Sequence, residues 1–196
     1  MPRPKVYDDA LADRLRLLAA ERIAESGMSG LALRPLAAAA GTSTSAVYAM
    51  FTDKGGLVNA VLNDAFARFG ADQAQLGVTD DPLEDMRLLG QHYRTWALAN
   101  PALYEVMFSS GLTLTDPANG DRVADDNTMK PLVDCVKRLM KTGVVPDGDA
   151  NQTAHSVRAS VHGFISLELA GEKHTDAEFA FHLDLVARAF LPPRTS

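Results

Sequence analysis

Apolar residues return every third or fourth position along this chain, in blocks closed by glycine, proline or a short polar residue, and no segment alternates long enough to make a strand. Leu11, Leu15 and Leu18 fall at i, i+4 and i+7, with Ile23 beyond them and Gly27 as a natural stop. That period favours helices, so the fold is expected to be all-α. Leu31 to Ala40 is a short alanine-rich block closed by Gly41, and Ser43 is a good N-cap for a second short helix reaching Phe51. Asp53 can cap the next block, which carries Leu57, Val61, Leu62, Ala65, Phe66 and Phe69 up to Gly70. Residues 70–81 read as a linker. Pro82 opens a helix that Asn100-Pro101 breaks, and a shorter one follows to about Ser109. Residues 110–126, rich in Gly, Asp and Thr, read as a loop. Helices are expected again at about 127–142, from Asp149 to about Ala170, and from Thr175 or Asp176 to Leu191 before Pro192-Pro193. About nine helices result, with no internal repeat.

The chain has 196 residues, 46% of them hydrophobic and 22% charged, which is the make-up of an ordinary globular protein with one large domain or two small ones. Cys135 is the one cysteine, so neither an internal disulfide nor a multi-thiolate metal site can form, and a reducing cytoplasm is the expected setting. No uncharged apolar run nears the roughly 18 residues of a membrane span, and the first residues lack a hydrophobic signal core. Neither export nor membrane insertion is expected. The formal charge of −6 is unevenly spread: residues 1–56 hold seven bases and six acids, so the acidity lies behind Gly56.

Residues 31–54 carry the informative constellation. A helix-turn-helix needs two helices in close contact and a turn that folds back sharply, because its second helix enters the major groove. Ala37 is small where the helices approach, Gly41 can take positive φ in the turn, and Val47 can plug the gap. The stretch Gly41-Thr42-Ser43-Thr44-Ser45-Ala46-Val47-Tyr48-Ala49-Met50-Phe51-Thr52-Asp53-Lys54, followed by Leu57, resembles the DNA-binding head of the TetR family of transcriptional regulators, over roughly residues 8–66.

The resemblance implies an N-terminal three-helix DNA-binding domain over residues 1–52. A larger C-terminal regulatory, ligand-binding and dimerisation domain would follow over 53–196. It also implies that the helix from Ser43 enters the major groove, with Thr44, Ser45, Ala49 and Met50 toward base edges and Tyr48 and Lys54 on phosphates. Arg34 would reach a base or a phosphate. Elementary chemistry agrees with these roles: the phenol and the ammonium are donors suited to phosphate, and a helix N-terminus presents free amides and a positive dipole. With no Asn, Gln, Arg or Lys between Thr42 and Met50, bidentate base reading falls to Arg34. Arg3 and Lys5 form a terminal arm that could add minor-groove or phosphate contacts, or simply be solvated. Three features depart from the family pattern: Thr42, Ala32 where a Thr or Ser cap is usual, and the pair Gly55-Gly56 at the start of the fourth helix. Two glycines there lower helix propensity by about 1 kcal/mol each, which predicts a fraying first turn.

One head reads few base pairs, so a homodimer on a near-palindromic operator is expected. The last two helices carry the stripes Val157, Val161, Phe164 and Phe179, Leu183, Val186, Phe190, read as the dimer seam, although part of each must also cover the subunit's own core. Val161-His162-Gly163 resembles the Trp-His-Gly signature of one TetR subgroup, with Val161 in place of Trp. Met86, Leu89, Tyr93 and Trp96, then Tyr104, Met107 and Phe108, offer aromatic and polarizable lining for a small apolar effector, with His162 either a contact or a buried hydrogen-bonded residue. Arg87, Arg94 and Arg122 do not converge enough to name an anionic effector.

The reading is therefore a ligand-responsive regulator, more in the manner of a repressor than an activator. No catalytic motif, metal set or cofactor loop is found to support an enzyme. A metal sensor is a weaker alternative, because His155 and His162 on one helix are about 10 Å apart. A helical protein-interaction module without DNA binding would leave the Gly41, Ser43, Tyr48 and Lys54 pattern unexplained.

Overall fold

The computed structural model of the protein describes residues 8–108 and 128–189. Among them the chain forms nine helices and no strand: α1 (Asp9–Gly30), α2 (Leu33–Ala39), α3 (Thr44–Phe51), α4 (Lys54–Ala74), α5 (Pro82–Ala99), α6 (Pro101–Phe108), α7 (Lys130–Lys141), α8 (Ala150–Leu169) and α9 (Asp176–Ala189). The expected loop over 110–126, the arm with Arg3 and Lys5, and Phe190 at the far end lie outside the described residues.

Local chemistry accounts for most boundaries. Asp8 caps α1 by accepting from the Ala10 amide at 3.1 Å, and Asp149 caps α8 through the amides of Asn151 and Gln152. At Gly27 the backbone turns to φ 65°, ψ −174°, so the stop expected there is a break followed by one more short turn. Gly41, at φ 74°, closes α2: its amide donates to Ala38 and that of Thr42 to Ala37, at 3.0 and 2.8 Å. One boundary differs from expectation. α4 runs through Gly70 to Ala74, because Phe69 and Gln73 are buried and the gain outweighs the roughly 1 kcal/mol that an interior glycine costs.

The chain divides into two compact units, Met1–Arg68 with Asn100–Ala124, and Phe69–Ala99 with Asp125–Ser196. Of the described elements, the first holds α1 to α3, α4 up to Arg68, and α6. There α1 packs on α2 and α6, and α2 on α3, over a core in which Leu15, Ala19, Val47, Leu57 and Val106 are fully buried.

The second unit holds the end of α4 with α5, α7, α8 and α9. α5 packs on α7, α8 and α9, with Leu139, Ala154 and Ile165 fully buried. Helix α9 meets α5 at Gly90, where a Cβ would stand 2.6 Å from Leu183 Cδ2. Beside that contact Arg94 of α5 grips Glu168 of α8 through Nε and Nη2, at 2.6 and 2.7 Å. It also donates to Asp176 at 2.7 Å and lies 5.0 Å over the Phe179 ring.

Candidate functional site

The turn expected between two short helices is present, and α3 is sorted by face. Ser43 caps it, its Oγ accepting from the Ala46 amide at 3.2 Å. Ala46, Val47 and Phe51 point into the core of the first unit, with Val47 fully buried as the plug its spacing predicted. Ser45, Tyr48 and Ala49 face out, while Thr44 and Met50 lie half-buried at the edges of that face. Tyr48 is 53% exposed, and neither its hydroxyl nor the exposed Arg34 at the start of α2 has a hydrogen-bond partner among the described residues. Ala32 stands at the N-cap of α2 and supplies no side-chain bond, so the first amides of that helix lack the cap usual in the family.

Lys54 is engaged in a way its sequence position does not reveal. Its ammonium donates to the Met28 carbonyl at 2.7 Å, joining the start of α4 to the end of α1. Carbonyls at a helix end lack intrahelical donors, and the break at Gly27 brings that end early. An ammonium carries three N–H donors, so this bond leaves capacity for a phosphate.

The junction between α3 and α4 is tight. Thr52 has φ 68° and ψ −53°, and the Asp53 amide donates back to the Phe51 carbonyl at 2.7 Å, which makes a γ-turn of the rare positive-φ kind. A Cβ on Gly56 would lie 1.9 Å from the Phe51 carbonyl oxygen, and the Gly56 amide donates to Asp53 Oδ1 at 2.7 Å. Gly56 is thus a steric requirement of the turn, a reason that propensity alone does not supply.

In the second unit, Phe69 lies 5.1 Å from the Tyr93 ring and 5.0 Å from Trp96. The Tyr93 hydroxyl pairs with His162 Nδ1 at 2.9 Å. Burial and then the nearby Arg158 charge hold the His162 imidazole below its usual pKa, so it favours the neutral form. Tyr93, Trp96 and His162 are therefore gathered around one aromatic group. Met86 and Leu89 sit instead in an apolar cluster with Cys135, Leu139, Val157 and Val186. Tyr104, Met107 and Phe108 belong to the first unit, where Phe108 meets Tyr104 at 5.1 Å and Phe66 at 6.2 Å.

The stripes read as a dimer seam turn inward. Val157, Val161, Phe179, Leu183 and Val186 are all buried within their own chain, and Phe164 is half-buried against His174, Phe179 and His182. The strongest apolar period on an amphipathic helix marks the face toward its own core, and here α5 receives it at Gly90. The apolar side chains left exposed on these helices are Leu167, Phe181 and Leu185. The arginines are consumed by carboxylates: Arg87 by Asp184 and Glu84, and Arg94 by Glu168 and Asp176. Arg122 lies outside the described residues. Among the described residues no group of three or more His, Cys, Asp or Glu could hold a metal ion, and no helix is long and apolar enough to cross a membrane.

A capped helix-turn-helix near the amino end, with its second helix bare on the outer face, is the arrangement of a DNA-binding transcriptional regulator. Comparison with known proteins gives the lineage. Residues 17–61 match the family described as bacterial regulatory proteins, tetR family, and residues 86–188 match the tetracyclin repressor-like C-terminal domain. The chain belongs to the TetR family, whose members are generally regulators rather than enzymes.

Solved structures share the fold. A tetR-family regulatory protein from Rhodococcus RHA1 aligns with a TM-score of 0.76 at 21% identity, covering 92% of this chain and 96% of that one. The TetR family transcriptional regulator PfmR from Thermus thermophilus gives 0.75 at 22% identity, over 90% and 98%. The fatty acid degradation regulator FadR from Bacillus halodurans gives 0.74 at 16% identity, over 99% and 98%. No match is found among curated proteins.

Proposed function

We propose that this protein is a repressor that binds a near-palindromic operator as a homodimer and releases it when a small, mostly apolar effector enters the C-terminal domain. Residues 1–52 serve as the DNA-reading head and 53–196 as the regulatory part. The observation that carries the reading is the bare outer face of α3: Ser45, Tyr48 and Ala49 exposed around a Ser43-capped N-terminus, with Arg34 exposed beside it on α2. Tyr48 and Lys54 hold phosphates, Arg34 reads a guanine, and Thr44, Ser45, Ala49 and Met50 make weaker base contacts.

The dimer seam is assigned to Leu167 of α8 with Phe181 and Leu185 of α9, the large apolar side chains that those helices leave exposed. Phe181 and Leu185 are one turn apart, so they form a continuous ridge. The effector reading draws on the aromatic group of Phe69, Tyr93 and Trp96, with the neutral His162 as an orienting partner. The subgroup likeness at Val161-His162-Gly163 rests on those residues alone. Effector binding favours a subunit arrangement in which the two heads no longer fit half-sites one helical turn apart, a coupling of about 1–3 kcal/mol.

Selection of bound fragments from random duplex DNA, repeated over a salt series, tests this. The expected outcome is a two-fold symmetric site whose affinity falls steeply with salt. Tyr48→Phe and Lys54→Ala should weaken binding to all sequences alike, while Arg34→Ala should relax preference at one position of each half-site by about 1–3 kcal/mol. Binding that ignores both sequence and salt would rule the reading out.

A further inference from the structure

The side chains of α3 exclude the strongest kind of base reading. From Thr44 to Phe51 the helix carries no Asn, Gln, Asp, Glu, Lys or Arg. Paired hydrogen bonds, such as an amide makes to adenine or a guanidinium to guanine, are therefore closed to it. Its hydroxyls do not replace them. Those of Thr44 and Ser45 can each donate or accept, so they suit several base edges without choosing among them.

What remains on the outer face is short and apolar. Ala46, Val47 and Phe51 are spent on the core, while Ala49 is exposed one turn after the exposed Ser45, and Met50 is half-buried beside it. Ala49 offers a single methyl group, which touches a base only where the helix backbone comes close to the groove floor. Thr44 and Ser45 permit that approach because both are short, whereas a lysine or arginine in either place would hold the helix off. In the major groove the one apolar group that a base presents is the C5-methyl of thymine. Packing it on Ala49 and on the polarizable thioether of Met50 removes apolar surface from water on both sides. A polar base edge set against the same two side chains loses hydration and gains no partner. The two effects favour thymine over the other bases.

Resting on the regulator reading above, we propose that α3 recognises its half-site through thymine: the C5-methyl of one T·A pair packs on Ala49, and Met50 closes its side. Sequence preference then divides between two helices, a guanine taken by Arg34 of α2 and a thymine taken by Ala49 of α3. Ala49 is the specificity-determining residue of α3, while Thr44 and Ser45 add affinity with little choice of base.

The test uses the duplex most enriched by the selection from random DNA, resynthesised with uracil in place of one thymine at a time. That exchange removes the C5-methyl and leaves the pairing edge unchanged. At one position of a half-site the full-length protein should lose about fourfold in affinity, the worth of one buried methyl group, and less than about twofold elsewhere. Cytosine at that position should bind more weakly still, and 5-methylcytosine should bind about fourfold more tightly than cytosine. With Ala49→Gly, thymine and uracil there should bind within about 1.5-fold of each other; the helix propensity lost to glycine is common to both duplexes and cancels in the ratio. Selected half-sites without a recurrent T·A pair, an equal response to uracil at every position, or a fourfold loss that persists in Ala49→Gly would each overturn the proposal. The uracil scan on the wild-type protein decides the matter even if Ala49→Gly does not fold. Each of those outcomes leaves salt-dependent, sequence-specific binding in place and so spares the regulator reading, whereas a selection that yields no site at all overturns both.

Discussion

The first unit leaves polar groups of α2 and α3 facing outward, while the second turns its polar groups inward. Tyr48 and Arg34 lie exposed with no partner among the described residues, whereas Arg94 and Glu168 have side chains only 12% and 5% exposed and close on each other from different helices. Asp85 is likewise buried between Thr79 and Arg138. The difference teaches where each kind of polar group acts. On the head an idle donor is available to a partner, and in the second unit a satisfied pair ties helices together at a desolvation cost that only good geometry offsets.

The contrast can be broken at its strongest point by Glu168→Ala, which leaves the largely covered Arg94 guanidinium with Asp176, the His174 carbonyl and the Phe179 ring as partners. A loss of about 3–5 kcal/mol is expected in urea unfolding. Loss under about 1 kcal/mol, the worth of an exposed pair, would mean that the clasp is ornamental.

Asp85 tests the same idea through pH. Burial pushes its carboxyl up, but the bonds from Thr79 and the ion pair with Arg138 outweigh that and hold it below the ordinary range. A depressed carboxylate contributes stability above the unfolded-state value near 4, and that contribution is lost as pH falls through the lowered folded value. Asp85→Asn should cost about 2 kcal/mol at pH 7 and flatten the loss of stability as pH falls below about 4. Parallel pH profiles for wild type and variant would count against the assignment.

Gly90→Ala should cost about 1–3 kcal/mol through the clash with Leu183, and Leu183→Val should recover part of it. The smallest effect lies in the head, where Ala32→Ser should add about 1 kcal/mol by capping α2 without altering operator preference. A gain in stability with a changed preference would show that position 32 also touches bases.

The same contrast explains what could be read from the sequence. In the head the informative residues sit within one another's local span: Ser43 caps its own helix, Gly41 closes the previous turn, and Val47 fills the space between them, so spacing alone gave the elements and their packing. In the second unit the partners are far apart in the chain, as with Arg94 and Glu168 or Asp85 and Arg138, and no period announces such pairs. Periodicity found the stripes on α8 and α9, but it finds the core-facing side first. The apolar residues left exposed, Phe181 and Leu185, show a weaker pattern that stands out only once the core is filled. Gly55-Gly56 read as a loosened helix start, whereas at Gly56 the structure gives a steric demand.

That demand has an implication for how these regulators can change. With Thr52 locked in an uncommon backbone state and Gly56 barred from carrying a side chain, the elbow behind α3 offers no slack. Side chains at 45 and 49 hang free of the interior and can be exchanged at little cost to the scaffold. On the proposed reading, drift in operator preference is therefore cheap along the outer edge of α3 and expensive at its hinge, so divergent relatives should differ in what they read far more than in how they present it.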